Sequence, residues 1–216
     1  MSMPTILDDQ LQELLLQIEQ FGRENDQREN DRQRKMLNLE RDSAVLIHML
    51  VRATRRRHIL EIGTSNAYST IWLADAVRHL GRGQVTSIER DPAKMELARG
   101  NLRSAKLLEY VTLLEGEASQ LVEVLSGPYD CVFFDGDRIS APKQLQILLP
   151  KLSADVVLLC DNVLSHPAEV ADYVQAVEHL TDFSSITVPI GKGLHIGYRQ
   201  ESNPHMVQAK SGQESA

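Results

Sequence analysis

Cysteine is scarce in this chain, with two in 216 residues. Both Cys131 and Cys160 lie inside apolar runs that read as strands, which suits buried, reduced thiols in a reducing compartment and sets aside a disulfide or metal-ligand role for them. An excess of basic residues is missing too. Lys and Arg number 23 against 30 Asp and Glu, giving a formal net charge of −7. That balance removes the attraction behind most non-specific nucleic-acid affinity, so no nucleic acid is expected as a partner and a small molecule is the better candidate. No apolar run approaches the roughly 20 residues that span a bilayer, and the N-terminus lacks a basic-then-apolar export signal. The expectation is a soluble, cytoplasmic protein without a membrane partner.

What is present is enough apolar material, 42% of the residues, for one domain with a substantial core. Leu7, Leu11, Leu14, Leu15 and Ile18 recur at helical spacing and form one sticky face. Gly22 to Lys35 contains no apolar residue and reads as a solvated helix, a connector or a lid. Residues 1–41 are therefore taken as an N-terminal helical extension, 42–199 as the main domain and 200–216 as a disordered polar tail.

From Asp42 onward, β-rich apolar runs alternate with helical segments, the pattern of a parallel sheet. Strands are predicted at His58–Ile62, Gln84–Glu89, Val111–Leu114, Asp130–Phe134 and Val156–Cys160. The intervening helices fall near Tyr68–Leu80, Pro92–Ser104, Ser119–Leu125 and Pro142–Leu149, with another at Ala168–Leu180. Ser185–Pro189 and Leu194–Arg199 then suggest an antiparallel hairpin. The fold class is α/β, a Rossmann-like, doubly wound and mostly parallel seven-stranded sheet with the last strand antiparallel.

In LEIGTSNAYSTIWLA, from Leu60 to Ala74, a strand ends at Gly63 and a helix begins near Ala67. Backbone amides at such a helix start can hold an anionic group. The dinucleotide fingerprint needs three glycines, and only Gly63 is present, which weakens an NAD reading. Glu89 ends the next strand, where a carboxylate can accept both ribose hydroxyls or remain a solvated acid. GEA at Gly116 to Ala118 follows the third strand, Asp135 the fourth, and Asp161 with Asn162 the fifth. Two carboxylates and an amide oxygen are hard ligands suited to Mg²⁺, although acids at strand ends are commonly caps or solvated loop residues.

EIGTSNAYS, SIERDP, YDCVFFDGD and CDNV together resemble the class I O-methyltransferases related to catechol and caffeoyl-CoA O-methyltransferases, over roughly Lys35 to Arg199. The resemblance implies S-adenosylmethionine as cofactor. Its methionine part would be held by Glu61, Gly63, Thr64, Ser65, Tyr68 and Ser69, its ribose by Glu89 with Arg90, and its adenine beside Ala118 and Glu117. MLNL resembles the family's approach segment and would bring Leu39 near the sulfonium. Asp135 would serve cofactor, metal and catalysis together, with Asp161 and Asn162 completing a divalent-cation site. The implied reaction is methylation of a catechol-like or phenolic hydroxyl.

Three departures stand out. Ala67 lies where glycine is usual, and a helical backbone there would tolerate it. Arg138 replaces a lysine regarded in the family as the general base. An arginine stays protonated, so the expectation is that Arg138 stabilises the substrate oxyanion while the metal activates the hydroxyl. Lys143 and His166 are weaker substitutes for the base, read more simply as a solvated helix charge and a loop residue before Pro167. Lys192 lies where many members carry an acid, which could change substrate preference. Binding of S-adenosylmethionine without turnover, and NAD-dependent oxidoreduction, are the alternatives. The apolar face of Leu7 to Phe21 and the hairpin suggest a two-fold homodimer.

Overall fold

A computed structural model describes residues 6–200. The tail expected after Gln200 lies outside the described residues. Seven strands form one sheet: β1 (His58–Ile62), β2 (Gln84–Glu89), β3 (Val111–Glu115), β4 (Tyr129–Phe134), β5 (Leu152–Cys160), β6 (Ser184–Val188) and β7 (Leu194–Arg199). Their order is β3-β2-β1-β4-β5-β7-β6. All neighbouring pairs from β3 to β5 are parallel, and β7 runs antiparallel to both β5 and β6. The reversed strand is thus the last one, as the hairpin pattern predicts.

Alternation along each strand sorts the core onto two faces. Ile59, Cys131, Phe133, Val157 and Leu159 point to one side, against α1 (Asp9–Arg28), α2 (Arg41–Ala53), α3 (Tyr68–His79) and α4 (Pro92–Ser104). Leu60, Ile62, Val132, Phe134, Leu158 and Cys160 point to the other, against α5 (Ala118–Val124), α6 (Ala141–Leu148) and α7 (Pro167–Glu178). Helices on both faces explain why CVFF and VVLLC are continuously apolar. Both cysteines are buried and free.

The N-terminal helix is started by Asp8, whose side chain accepts a hydrogen bond from the Leu11 amide, and it runs on through the polar stretch to Arg28. Its apolar face does not seek a second copy. Leu7, Leu11, Leu15 and Ile18 are buried in the same cluster as α2 and α3, so the face that suggested a dimer is spent within the chain. Leu16 and Phe21 remain exposed on this helix. After Arg28 the chain makes a short 3-10 turn at Arg32–Arg34 before entering α2.

One local expectation is overturned. Ala67 is not helical: its φ is 68° and ψ 23°, left-handed, immediately before α3. Alanine is strained there by roughly 1–2 kcal/mol, which the fully buried methyl partly offsets.

Candidate active site

The strand order reverses between β1 and β4, so the loops leaving these strands diverge and open a crevice at their C-terminal ends. Gly63 makes this possible. Its φ is +105°, and a Cβ there would stand 2.6 Å from the main-chain oxygen of Asp135. The loop after β1 therefore lies directly on the loop after β4. Asp135 donates its amide to Ile62 O at 2.9 Å, and Asp161 donates its amide to Phe134 O at 3.2 Å, which sets the two acids on adjacent strand ends.

Glu61, fully buried in β1, is held by hydroxyls. Ser69 Oγ donates to its Oε1 at 2.6 Å, while Ser87 Oγ at 2.6 Å and Thr70 Oγ1 donate to its Oε2. Burial outweighs these three donors and pushes its carboxyl up to about 7. Thr64 Oγ1 lies 2.6 Å from Ser87 Oγ and joins the same network. Glu89 is no free solvated acid. Its Oε2 accepts the Ser65 amide at 2.8 Å, and its Oε1 accepts the Arg90 and Asp91 amides, each at 2.9 Å. It thereby ties the loop after β1 to the loop after β2. Ser65 Oγ donates to Met36 O at 2.7 Å, which draws the segment containing Leu39 onto the same loop.

Tyr68 is buried, and its hydroxyl donates to Glu19 Oε1 of α1 at 2.5 Å. Arg41 Nη1 donates to the same oxygen at 3.2 Å. Glu117 and Arg90 form a solvent-facing pair at 3.5 Å beside Ala118, the first residue of α5.

Asp135 and Asp161 repel each other in a buried setting. Burial first, and the Asp161 charge second, push Asp135 well above the usual carboxylate range. Burial likewise raises Asp161 to about 6, partly offset by the Asn162 backbone N–H. Asn162 Nδ2 donates to Asp161 Oδ2 at 2.8 Å and reaches Asp135 Oδ1 at 3.5 Å. Its amide nitrogen stands between the carboxylates as a cation would, and Asp161 Oδ1 is buried without a hydrogen-bond partner. Asn162 adopts φ 68°, which its side chain tolerates. A hard divalent ion would suit two such acids and an amide oxygen. Among the described residues no group of three His, Cys, Asp or Glu could hold a metal, so the candidate set is two aspartates with an asparagine.

Arg138 is half-spoken for: its Nε and Nη2 both donate to Glu169 Oε2 of α7, at 2.8 and 2.7 Å. Lys192, in the β6–β7 loop, pairs with Glu40 at 2.6 Å. The partly exposed His166 ring lies 2.8 Å from Ser165 Oγ, and the exposed Lys143 makes no ion pair among the described residues. Sequence reasoning missed Glu19, Arg41, Glu40, Thr70, Ser87 and Glu169. Of these only Thr70, adjacent to Ser69 in the helix start, carried a local signal.

Residues 60–163 match a family model described as a methyltransferase domain. The chain is 35% identical over 117 residues to a catechol O-methyltransferase of Mycobacterium tuberculosis, covering 54% of this chain and 52% of that protein. It is 33% identical over 122 residues to a catechol O-methyltransferase of Niastella koreensis, covering 55% and 54%. The chain thus spans about half the length of the curated relatives it matches. The solved structure of an O-methyltransferase from Bacillus cereus in complex with SAH superposes with a TM-score of 0.74 over 90% of this chain and 93% of that one, at 22% identity, a likeness of fold.

Proposed function

We propose that the chain is a class I S-adenosylmethionine-dependent O-methyltransferase that transfers the methyl group of S-adenosylmethionine to a hydroxyl of a small catechol-like phenol, assisted by a divalent cation, Mg²⁺ first among candidates, a reading supported by the methyltransferase-domain match and the similarity to catechol O-methyltransferases. One observation carries the reading. A pair of carboxylates, the buried Asp161 with one oxygen unpartnered and the half-buried Asp135, lies beside the loop that Gly63 folds against it.

In this reading Glu61 and its hydroxyl shell, with Gly63, Thr64, Ser65, Tyr68 and Ser69, orient the methionine part of the cofactor. Glu89 takes the ribose on lone pairs left by the three amides, Arg90, Glu117 and Ala118 border the adenine, and Leu39 lies on the sulfonium side. Asp135, Asp161 and Asn162 would hold the cation, which when bound supplies a chelating centre for vicinal hydroxyls and lowers their pKa. Fixing both reactants in line supplies much of the acceleration through proximity. Arg138 keeps its Nη1 for the acceptor oxyanion while Glu169 fixes the rest of the guanidinium. A homodimer would use the exposed Leu16, Phe21 and Ile186, since the inner face of α1 is already covered. No helix among the described residues is long and apolar enough to cross a membrane.

The test is isothermal titration with S-adenosylmethionine, with and without Mg²⁺, followed by methyl-transfer assays on 3,4-dihydroxy aromatic compounds. Micromolar binding and metal-dependent turnover, lost in Asp161→Ala, is the expected result. Binding without turnover on any such compound would favour a non-catalytic binder, a reading to which the engaged Arg138 lends support; absence of binding ends both. Arg138→Ala should lower turnover across the pH range, and full activity in that variant at every pH would remove the oxyanion role.

A further inference from the structure

Two large apolar side chains, Ile139 at 68% exposure and Leu164 at 54%, stand in water on the loops that leave β4 and β5. These are the loops that begin with Asp135 and Asp161. Leu164 is two residues past Asn162 and Ile139 four past Asp135, so their backbones lie within roughly 7 Å and 14 Å of those residues. Hydrophobic side chains scattered singly over a surface need no explanation, but two at the mouth of one site do.

Both are held in place. Leu164 donates its amide to Lys192 O at 3.0 Å, and its Cγ would stand 2.5 Å from a Cβ at position 193, an approach that Gly193, at φ +94°, makes possible. Ile139 is fixed through its neighbours. Arg138 before it donates two nitrogens to Glu169, and Ser140 after it donates its hydroxyl to Asp137. Glu169 lies in the first turn of α7, into which the loop after β5 leads, so the Arg138–Glu169 pair ties the two loops together around one opening. The polar side chains of this rim are answered within the chain: Arg138 by Glu169, Lys192 by Glu40, Asp137 by Ser140 and His166 by Ser165. Its charges balance and call for no charged ligand. Ile139 and Leu164, by contrast, keep more than half of their surface in water.

We infer that Ile139 and Leu164 form the specificity wall of the acceptor site and that the acceptor carries an apolar substituent on the ring edge away from its hydroxyls. An acceptor whose hydroxyls face Asp135 and Asp161 turns that opposite edge toward the loop tips, where the two side chains stand. The inference rests on the methyl-transfer reading above and narrows its substrate class from catechols in general to lipophilic ones. Each methylene fully covered by such a wall is worth about fourfold in affinity. A strongly hydrated substituent would lose water there without gaining a partner.

The experiment measures kcat/KM for 4-methyl-, 4-ethyl-, 4-propyl- and 4-butylcatechol, a series in which apolar length grows while the reacting hydroxyls keep nearly the same electronic character. The value should rise about two- to fourfold per methylene, chiefly through KM. In Ile139→Ser and in Leu164→Ser the rise per methylene should fall toward one. Val124→Ser, which alters a still more exposed hydrophobic residue at the end of α5, should keep it. The rise is a ratio within one variant and does not depend on how much of that variant folds. A flat or falling series in the unaltered protein overturns the inference alone. A rise unchanged in both loop variants overturns the assignment to these residues. Turnover of no member of the series, despite cofactor binding, counts against methyl transfer to catechols and takes this inference with it.

Discussion

Glu61 has no solvent around it and three hydroxyls where a cation would serve it better. Its carboxyl rises from an ordinary 4.5 to about 7, so the fold favours the protonated form. The stabilisation is complete below about pH 4.5 and is lost as pH rises through about 7, a difference on the order of 3 kcal/mol for a fully buried group. Denaturant unfolding of the cofactor-free protein at pH 5 and pH 8 should show this loss, and Glu61→Gln should shrink it relative to the unaltered chain. Asp135 and Asp161 move stability in the same direction, which is why the comparison with the variant is the decisive one. Glu61 itself was legible, at the end of an apolar run and just before Gly63. Its partner Ser87 was not, because the pairing depends on the β1–β2 register that sets Glu61 beside Ser87. Ala67 was misread for a related reason: its left-handed φ comes from the tight approach into α3, which composition does not reveal.

Among the elements, α1 shows how a pattern can be read correctly and its partner wrongly. The spacing of Leu7, Leu11, Leu15 and Ile18 marks a helix with one apolar side, yet nothing local says that α2 and α3 cover it. Leu15 is fully buried there, so Leu15→Ala should cost about 2–5 kcal/mol by loss of transfer energy and cavity formation, read as a lower urea midpoint with an unchanged slope. A slope that falls instead would mean that α1 detaches before the sheet unfolds. Strands β1, β2 and β7 begin and end where the β-rich runs do. Strand β5 starts four residues earlier than its apolar core, at Leu152 rather than Val156. The polar residues between are answered from far away: Arg199 donates to Ser153 O and Ala154 O, and Arg56 pairs with Asp155 at 2.8 Å. Contacts across 46 and 99 residues lie beyond any window of periodicity.

At the level of the whole molecule, the alternation of strands and helices was enough for a doubly wound sheet with one reversed strand, and that is the order observed. Three strand ends brought together Gly63, Glu89 and Asp135 as their positions in the sequence imply, because parallel strands put every C-terminal end on one edge. The ion pairs Arg138–Glu169 and Lys192–Glu40 joined residues 31 and 152 positions apart and could come only from the fold. The seating of α1 has a consequence for biosynthesis. Its hydrogen-bond partners Tyr68 and Arg78 lie 49 and 70 residues downstream of Glu19 and Asp8. At typical rates of translation the first helix leaves the ribosome on the order of several seconds before the helix that covers it. During that interval its leucine face is open to chaperones and proteases, and it closes only when the segment carrying Tyr68 and Arg78 has been made.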